Sequence, residues 1–448
     1  MPMFLIKVEV KPTDRNSQLE FVDKATAHCF VFGDSEAAAL NKALFCVFRD
    51  EWETMNSTPS IEIVEEGTVN SDFWQTQFAK AKQYSMATVY VGQSRDGQTT
   101  TGPVRLVPTS APDLNAFIKK QKKLAAKGRC LHFDSSGRCT DFVEAHSLQK
   151  NGLLREISRE SHVYVPSSSI GSLKKTHGKL VMQKRGIGSV STFPGFCGPH
   201  DSSLFKPIDT MTLGPTDEQI ALYAYRALCR EVFVKENSSV LIAQQMAEGH
   251  LDRGSRMLFD GYRTGTAIAL RNLRRHKTHF DESFQAGAYQ DVEYTLFAFK
   301  QKPFLAFSAV FYPEFDFLGR RLQNLADRDC ELDLLTVCSA AMEGGWGLLL
   351  SWHKTSSTFC REFLGSLARV FYAGRGGEVA LIRMVIASCE NIAFAPDWWE
   401  TQSSNGQERI CSALSVDLFA PTGPDYLVAG LEGICDWEVD RVYSRIKD

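Results

Sequence analysis

No run in the 448 residues reaches the ~20 consecutive apolar side chains that a membrane-spanning helix needs, so a helical membrane protein is excluded at the level of sequence. The opening stretch, MPMFLIKVEVKPTDR, has no long apolar segment before its first charges, and no secretory signal is expected there. A dense cysteine framework is missing as well. The twelve cysteines are scattered through a long chain, a usage that predicts free thiols in a reducing cytoplasm. Most of them, such as Cys46, Cys229 and Cys338, lie in apolar surroundings and are expected to be small core residues. There is no repeat of fixed period and no G-x-S-x-G elbow for a serine hydrolase. The GRGG at 374–377 lacks the Lys-Ser/Thr of a phosphate loop and predicts a turn.

What is present is an ordinary globular composition, 44% apolar and 23% charged, in a chain long enough for two or three cores. Residues 3–11 alternate as a half-buried strand, and 25–33 read as a second strand. Asp34 and Ser35 then supply helix-capping chemistry. The expected layout is α+β and multi-domain: a small N-terminal α+β domain over 1–95, a linker over 96–114 and a metal-binding module over 115–210. A helical region over 211–285 and a mixed α/β C-terminal domain over 286–448 complete it. In the last of these, VEYTLFAFKQKPFLAFSAVFY predicts two strands joined by a turn at Lys300 to Pro303, while LLTVCSAAM and GLLLSWHK predict two more.

The net charge of −3 conceals an asymmetry. Lys119 to Lys206 holds sixteen Lys/Arg against six Asp/Glu, a local +10, which leaves −13 for the rest. A basic middle on an acidic protein is a footprint for a polyanion, nucleic acid above all, although a Lys-rich helix can equally be a solvated face. The same two alternatives hold for Arg271, Arg274, Arg275, His276, Lys277 and His279 on a later helix. The stretch ENIAFAPDWW puts Glu390, Asn391, Asp397, Trp398 and Trp399 close together, and its paired tryptophans could stack on bases, but pairs of this kind more often anchor a core edge.

Inside the basic stretch lie Cys130, Cys139, His146, Cys197 and His200. Zinc takes four ligands from thiolate and imidazole, commonly two pairs from separate turns. Cys130 and Cys139 bracket eight residues, and Cys197 and His200 have the two-residue gap of a zinc knuckle in FPGFCGPHD. Gly195 and Gly198 allow tight backbone near the sulfur, and Pro199 suits the first turn of a short helix. Cys130, Cys139, Cys197 and His200 are therefore the expected structural Zn2+ ligands. His146 follows Glu144 on one face of the strand DFVEAHSLQ, and is open to three roles: a free imidazole near the metal able to deprotonate a water, a zinc ligand itself, or a core histidine.

The order of Cys pair, strand ending in EAHSL, second strand HVYVP, loop and C-x-x-H turn resembles the zinc-stapled HNH, or ββα-metal, endonucleases over about 80 residues. The longer pattern AHSLQKNGLLREI…HVY…STFPGFCGPHDSSLFKPI also resembles an uncharacterised bacterial family of similar length. The first resemblance implies a treble-clef or ββα-metal-like zinc module, with His146 as general base and Asp201 as the helix residue that helps hold a catalytic Mg2+ or Mn2+. Where that family carries an acid directly before the histidine, this chain has Ala145, with Glu144 one position further away. The basic clusters KKTHGK and QKRG offer Lys174, Lys175, Lys179, Lys184 and Arg185 to nucleic acid.

The leading expectation is a cytoplasmic metal-dependent nuclease, with a phage-defence or toxin role fitting its large flanking domains. The alternatives are a non-catalytic zinc-stabilised protein that binds nucleic acid or a protein partner, and a structural subunit whose acidic domains bind other proteins.

Overall fold

Alternation in the first strands becomes a sheet with helices on both faces. A computed structural model describes residues 2–94, 114–135, 139–167, 180–247 and 253–446, apart from 15, 17, 18, 20, 21, 34, 51, 56, 66, 67, 69, 70, 85, 326, 375 and 420–422. The chain is a mixed α+β protein of two compact units, one built mainly from residues 1–112 and the other from 113–247, 263–415 and 424–448. Among the described residues no helix is long and apolar enough to cross a membrane.

In the first unit, β1 (Met3–Pro12) pairs antiparallel with β2 (Val22–Phe32), and Ile6 faces Cys29. After α1 (Glu36–Arg49) come β3 (Trp52–Thr54) and β4 (Ser60–Ile63), which both pair with β1, then α2 (Asp72–Tyr84) and β5 (Met86–Ser94), which pairs with β2. Period-two patterning puts Phe4, Ile6, Val8 and Val10 into one core with Ala39, Ala43 and Val47 of α1. Phe30 packs in a second core with Phe78 and Ala81 of α2. Ser35 caps α1 by accepting from the Ala38 amide at 3.2 Å, as its position in the sequence predicts.

The second unit is organised by an eight-stranded antiparallel sheet. Its strands, in chain order, are β7 (His162–Ser167), β8 (Val181–Gly186), β10 (Val292–Phe299), β11 (Leu305–Phe311), β12 (Leu335–Met342), β13 (Gly345–His353), β14 (Ile392–Phe394) and β15 (Arg441–Arg445). Their spatial order is β15-β10-β13-β12-β11-β14-β7-β8. LLTVCSAAM and GLLLSWHK lie at its middle as β12 and β13, covered on both faces, which explains their nearly unbroken apolar runs. One face packs on the long helix Asp217–Ala247 and the C-terminal part of Arg253–Gln285, the other on Ser357–Tyr372 and Gly377–Ser388. The strands β10 and β11 form where the sequence predicts, but the β12–β13 hairpin inserts between them, so the turn at Lys300 to Pro303 crosses two strands.

A separate two-stranded ribbon joins β6 (Phe142–His146) to β9 (Thr192–Cys197). This corrects the expected pairing: HVYVP, as β7, belongs to the large sheet, and the true partner of the histidine strand is TFPGFC, directly before the helix. Everything between them, residues 147–191, is an excursion that contributes β7 and β8 to the large sheet.

Candidate metal centre and its surroundings

The cysteine segment reaches the ribbon through its backbone. The Arg129 amide donates to the Pro194 carbonyl at 3.0 Å and the Leu131 amide to that of Gly195 at 2.9 Å, so Cys130 lies against the end of β9. The β6–β9 register shifts by one between Val143 and Ala145, and Gly195 falls at this bulge. A Cβ at Gly195 would lie 2.2 Å from the Phe193 ring, whereas one at Gly198 would make only an ordinary 3.6 Å contact with Val143. Only the first of the two glycines expected to matter is sterically required. Cys197 is the N-cap of Gly198–Leu204, Pro199 occupies its first turn, and the Gly198 amide donates to the Asp141 carbonyl at 3.1 Å.

These constraints bring Cys130, Cys139, Cys197 and His200 together, with all four ligand atoms within 4.8 Å of one another. Cys130 Sγ is 4.0 Å from Cys197 Sγ and 3.3 Å from His200 Nδ1, and Cys139 Sγ is 3.5 Å from the same nitrogen. Zinc bonds of about 2.3 Å to sulfur and about 2.0–2.1 Å to nitrogen give tetrahedral edges of about 3.8 Å and about 3.5 Å. The residues fit zinc. Three thiols in one place also resist ionising together: partial burial first, then the neighbouring thiols, push Cys139 up to about 11. A bound cation reverses that penalty.

The loop is fastened from outside as well. Arg129 donates to Glu236, Asn237 and the Phe233 carbonyl at 2.8, 3.0 and 2.8 Å, and its guanidinium lies 4.0 Å above the Phe233 ring. The Leu131 carbonyl accepts from Tyr225 at 3.0 Å and that of Phe133 from Gln285 at 3.1 Å. His132 stacks on the ligand ring of His200, with centroids 4.0 Å apart and planes 9° apart.

His146 stands at the far end of β6, paired with Thr192, and is not part of the ligand cluster. Its Nε2 lies 3.0 Å from the Ile187 carbonyl oxygen. A carbonyl only accepts, so Nε2 carries the proton and Nδ1 is the basic nitrogen of the neutral ring. Burial, then Lys150 and Arg226, hold its pKa below the ordinary value against the opposing pull of the Ile187 carbonyl and Asp209. Asp201, one residue past His200, has its Oδ1 buried without a partner, and burial raises its pKa. Arg226 and Asp209 act electrostatically on both His146 and Asp201. Arg226, which is buried, and the more exposed Asp209 form a bidentate pair, with both bonds 2.8 Å long, and the guanidinium lies over the Phe205 ring. Sequence reasoning missed both. The only signal was an arginine at a helix position otherwise lined by apolar residues. Glu144 is exposed on β6, and Lys184 and Arg185 are exposed on β8, while Lys174, Lys175 and Lys179 lie outside the described residues.

Other candidates resolve into structure. Arg271 and Arg275 bind carbonyls of Arg328, Cys330 and Leu332, Arg274 pairs with Glu236, and His276 is buried against the Leu332 carbonyl, so this cluster is neither a free phosphate track nor a merely solvated face. Trp398 stacks on Phe304 at 4.1 Å and Trp399 is buried, as core anchors. Ser283 Oγ is 3.2 Å from His353 Nε2, but the Thr355 amide donates to His353 Nδ1, so the ring donates to the serine instead of activating it. Part of the basic excess is also neutralised by distant acids, Arg129 by Glu236 and Arg159 by Asp397 and Glu400.

No protein-family model, curated protein or solved structure matches this chain.

Proposed function

We propose that this protein is a cytoplasmic, HNH-like nuclease, a metal-dependent phosphodiester hydrolase in which zinc at Cys130, Cys139, Cys197 and His200 is architectural. The observation that carries this reading is a separation of side chains: Cys130, Cys139, Cys197 and His200 cluster as four metal ligands, while His146 lies outside the cluster with Nε2 on the Ile187 carbonyl, which makes Nδ1 the nitrogen that would take a proton from water. Asp201, with an unpartnered buried oxygen, is the residue to hold a magnesium or manganese ion, which when bound neutralises charge on the phosphate. Glu144, exposed on the same strand two residues before His146, is the acid we assign to assist it. Exposed Lys184 and Arg185 on β8, with Lys174, Lys175 and Lys179, supply cations to the nucleic-acid backbone. The twelve cysteines, none in a disulfide, are what supports the compartment. Defence against phage, or toxin action, is the physiological role we attach to such an activity.

The test is cleavage of single- and double-stranded DNA and RNA with added Mg2+ or Mn2+. His146→Ala should lose at least a hundredfold in rate while keeping its zinc. The second reading, a non-catalytic zinc-stabilised protein that binds nucleic acid or a protein, is favoured by the same closed four-ligand site, which offers no open coordination position. Nucleic-acid binding without cleavage under any divalent ion would select it.

A further inference from the structure

The segment that aims His146 is the turn Ile187–Ser191, and its own anchorage leads to a residue some two hundred positions away. Ile187 supplies the carbonyl that fixes the imidazole, at 3.0 Å. Its amide donates to the Ser161 carbonyl at 2.9 Å, which pins one end of the turn. The other end is Ser191, in a left-handed conformation with φ of 63°, costly for any residue but glycine. Three bonds sustain it there. The Ser147 amide donates to the Ser191 carbonyl at 2.9 Å, the Leu148 amide to Ser191 Oγ at 3.1 Å, and the hydroxyls of Ser147 and Ser191 share a bond of 2.6 Å. Ser147, directly after His146, is itself buried, and its Oγ accepts from Asn391 Nδ2 at 2.8 Å. Asn391 is buried at 7% exposure, just before β14, and the same amide nitrogen contacts the Ser308 carbonyl of β11 at 3.3 Å. A primary amide with two donors bridges the large sheet to the ribbon.

We propose that Asn391 is a positioning residue for His146: it locks Ser147, and through Ser147 the Ser191 turn, so that the Ile187 carbonyl holds one tautomer and one aim of the imidazole. Its catalytic significance rests on the nuclease reading, but its effect on the ring does not. The roughly 80-residue stretch that resembles an endonuclease module therefore lacks a part of its own site, which the C-terminal half supplies.

The experiment uses the full-length zinc-loaded protein with nitrogen-15-labelled histidine. In the wild type, the His146 ring, assigned through His146→Gln, should give the signature of a single Nε2–H tautomer. Asn391→Leu, with the same heavy-atom branching but no donors, should give a mixture of tautomers and a titration midpoint moved by more than 0.3 unit, a threshold of about 0.4 kcal/mol. Ser191→Gly guards against a folding artefact: it removes the hydroxyl relay while glycine suits the backbone at φ of 63°, so the chain should fold at least as well and still loosen the ring. If the wild type cleaves nucleic acid, both variants should lower kcat by about ten- to a hundredfold with KM nearly unchanged. Folded variants with a wild-type ring signature would overturn the proposal whatever the activity. A wild type without cleavage whose variants nevertheless loosen the ring would sink only the nuclease reading.

Discussion

Replacing one zinc thiol, Cys130→Ser, tests the central geometry most directly. Cys130 Sγ makes two of the short edges of the ligand cluster, to Cys197 Sγ and His200 Nδ1. Structural zinc binds with about 10–16 kcal/mol in small four-ligand sites, so an even share per ligand is about 2.5–4 kcal/mol, or roughly seventy- to nine-hundredfold in affinity. The serine hydroxyl is isosteric enough to keep the backbone bonds of Arg129 and Leu131 to β9, so the loss should appear in metal affinity before it appears in fold. The assay is competition for zinc with a chromophoric chelator, paired with metal-to-protein stoichiometry and thermal unfolding at fixed free zinc. Wild type should carry one zinc and lose thermal stability on chelation. The variant should release its zinc to about a hundredfold less chelator and show little further change on stripping. The sign with pH is also fixed. In the metal-free chain a thiol held at about 11 keeps its proton after the unfolded chain has released it, so folding weakens as pH rises from the ordinary thiol range toward 11. Zinc binding displaces those protons, so its affinity falls on acidification. A wild type that binds no zinc, or a variant that binds it as tightly, refutes the reasoning.

Asp209→Asn should cost about 2 kcal/mol in urea unfolding, less than a fully buried pair because Asp209 is 41% exposed beside an Arg226 side chain that is 4% exposed. An unchanged midpoint would mean that the pair contributes nothing. Gly195→Ala places a methyl against the Phe193 ring and should cost about 1–3 kcal/mol, with Gly198→Ala as the tolerated control. His276 and His353 are buried and held at about 4, chiefly by burial, so both are neutral in the fold and charge first in the unfolded chain. Their stabilising contribution is complete above about 6.5 and is lost as pH falls from there to about 4, at up to about 2.7 kcal/mol per pH unit for the two together. His353→Gln should flatten that slope in unfolding curves recorded between these limits.

The four-residue cluster that could hold a metal was legible because thiolate and imidazole at knuckle spacing, next to glycine and proline, have few other uses. The central strands were legible because cover on both faces demands apolar runs. The partner of β6 was not, since local patterning makes HVYVP and TFPGFC equally good strands and only long-range packing chooses between them. The same limit hid the separation of β10 from β11 by an inserted hairpin. The helix from Arg271 to His279 looked like a cationic surface because the carbonyls and acids that take its charges come from Arg328 to Leu332 and from Glu236. Asn391 stood out in the sequence only as one polar residue of ENIAFAPDWW, and nothing local tied it to Ser147 or His146.

The detour between the two ribbon strands bears on how the chain is made. During synthesis the first two thiols emerge more than fifty residues before Cys197 and His200, and the intervening β7 has no inner neighbour until β14 is translated. Zinc captured early would therefore be held by only half of its ligands, and zinc captured when Cys197 and His200 appear would close on a chain whose strands β10 to β15 are still to be made. Cutting out residues 115–210 for separate expression would leave β7 permanently without that neighbour, so intact protein is the proper object for any assay of this centre.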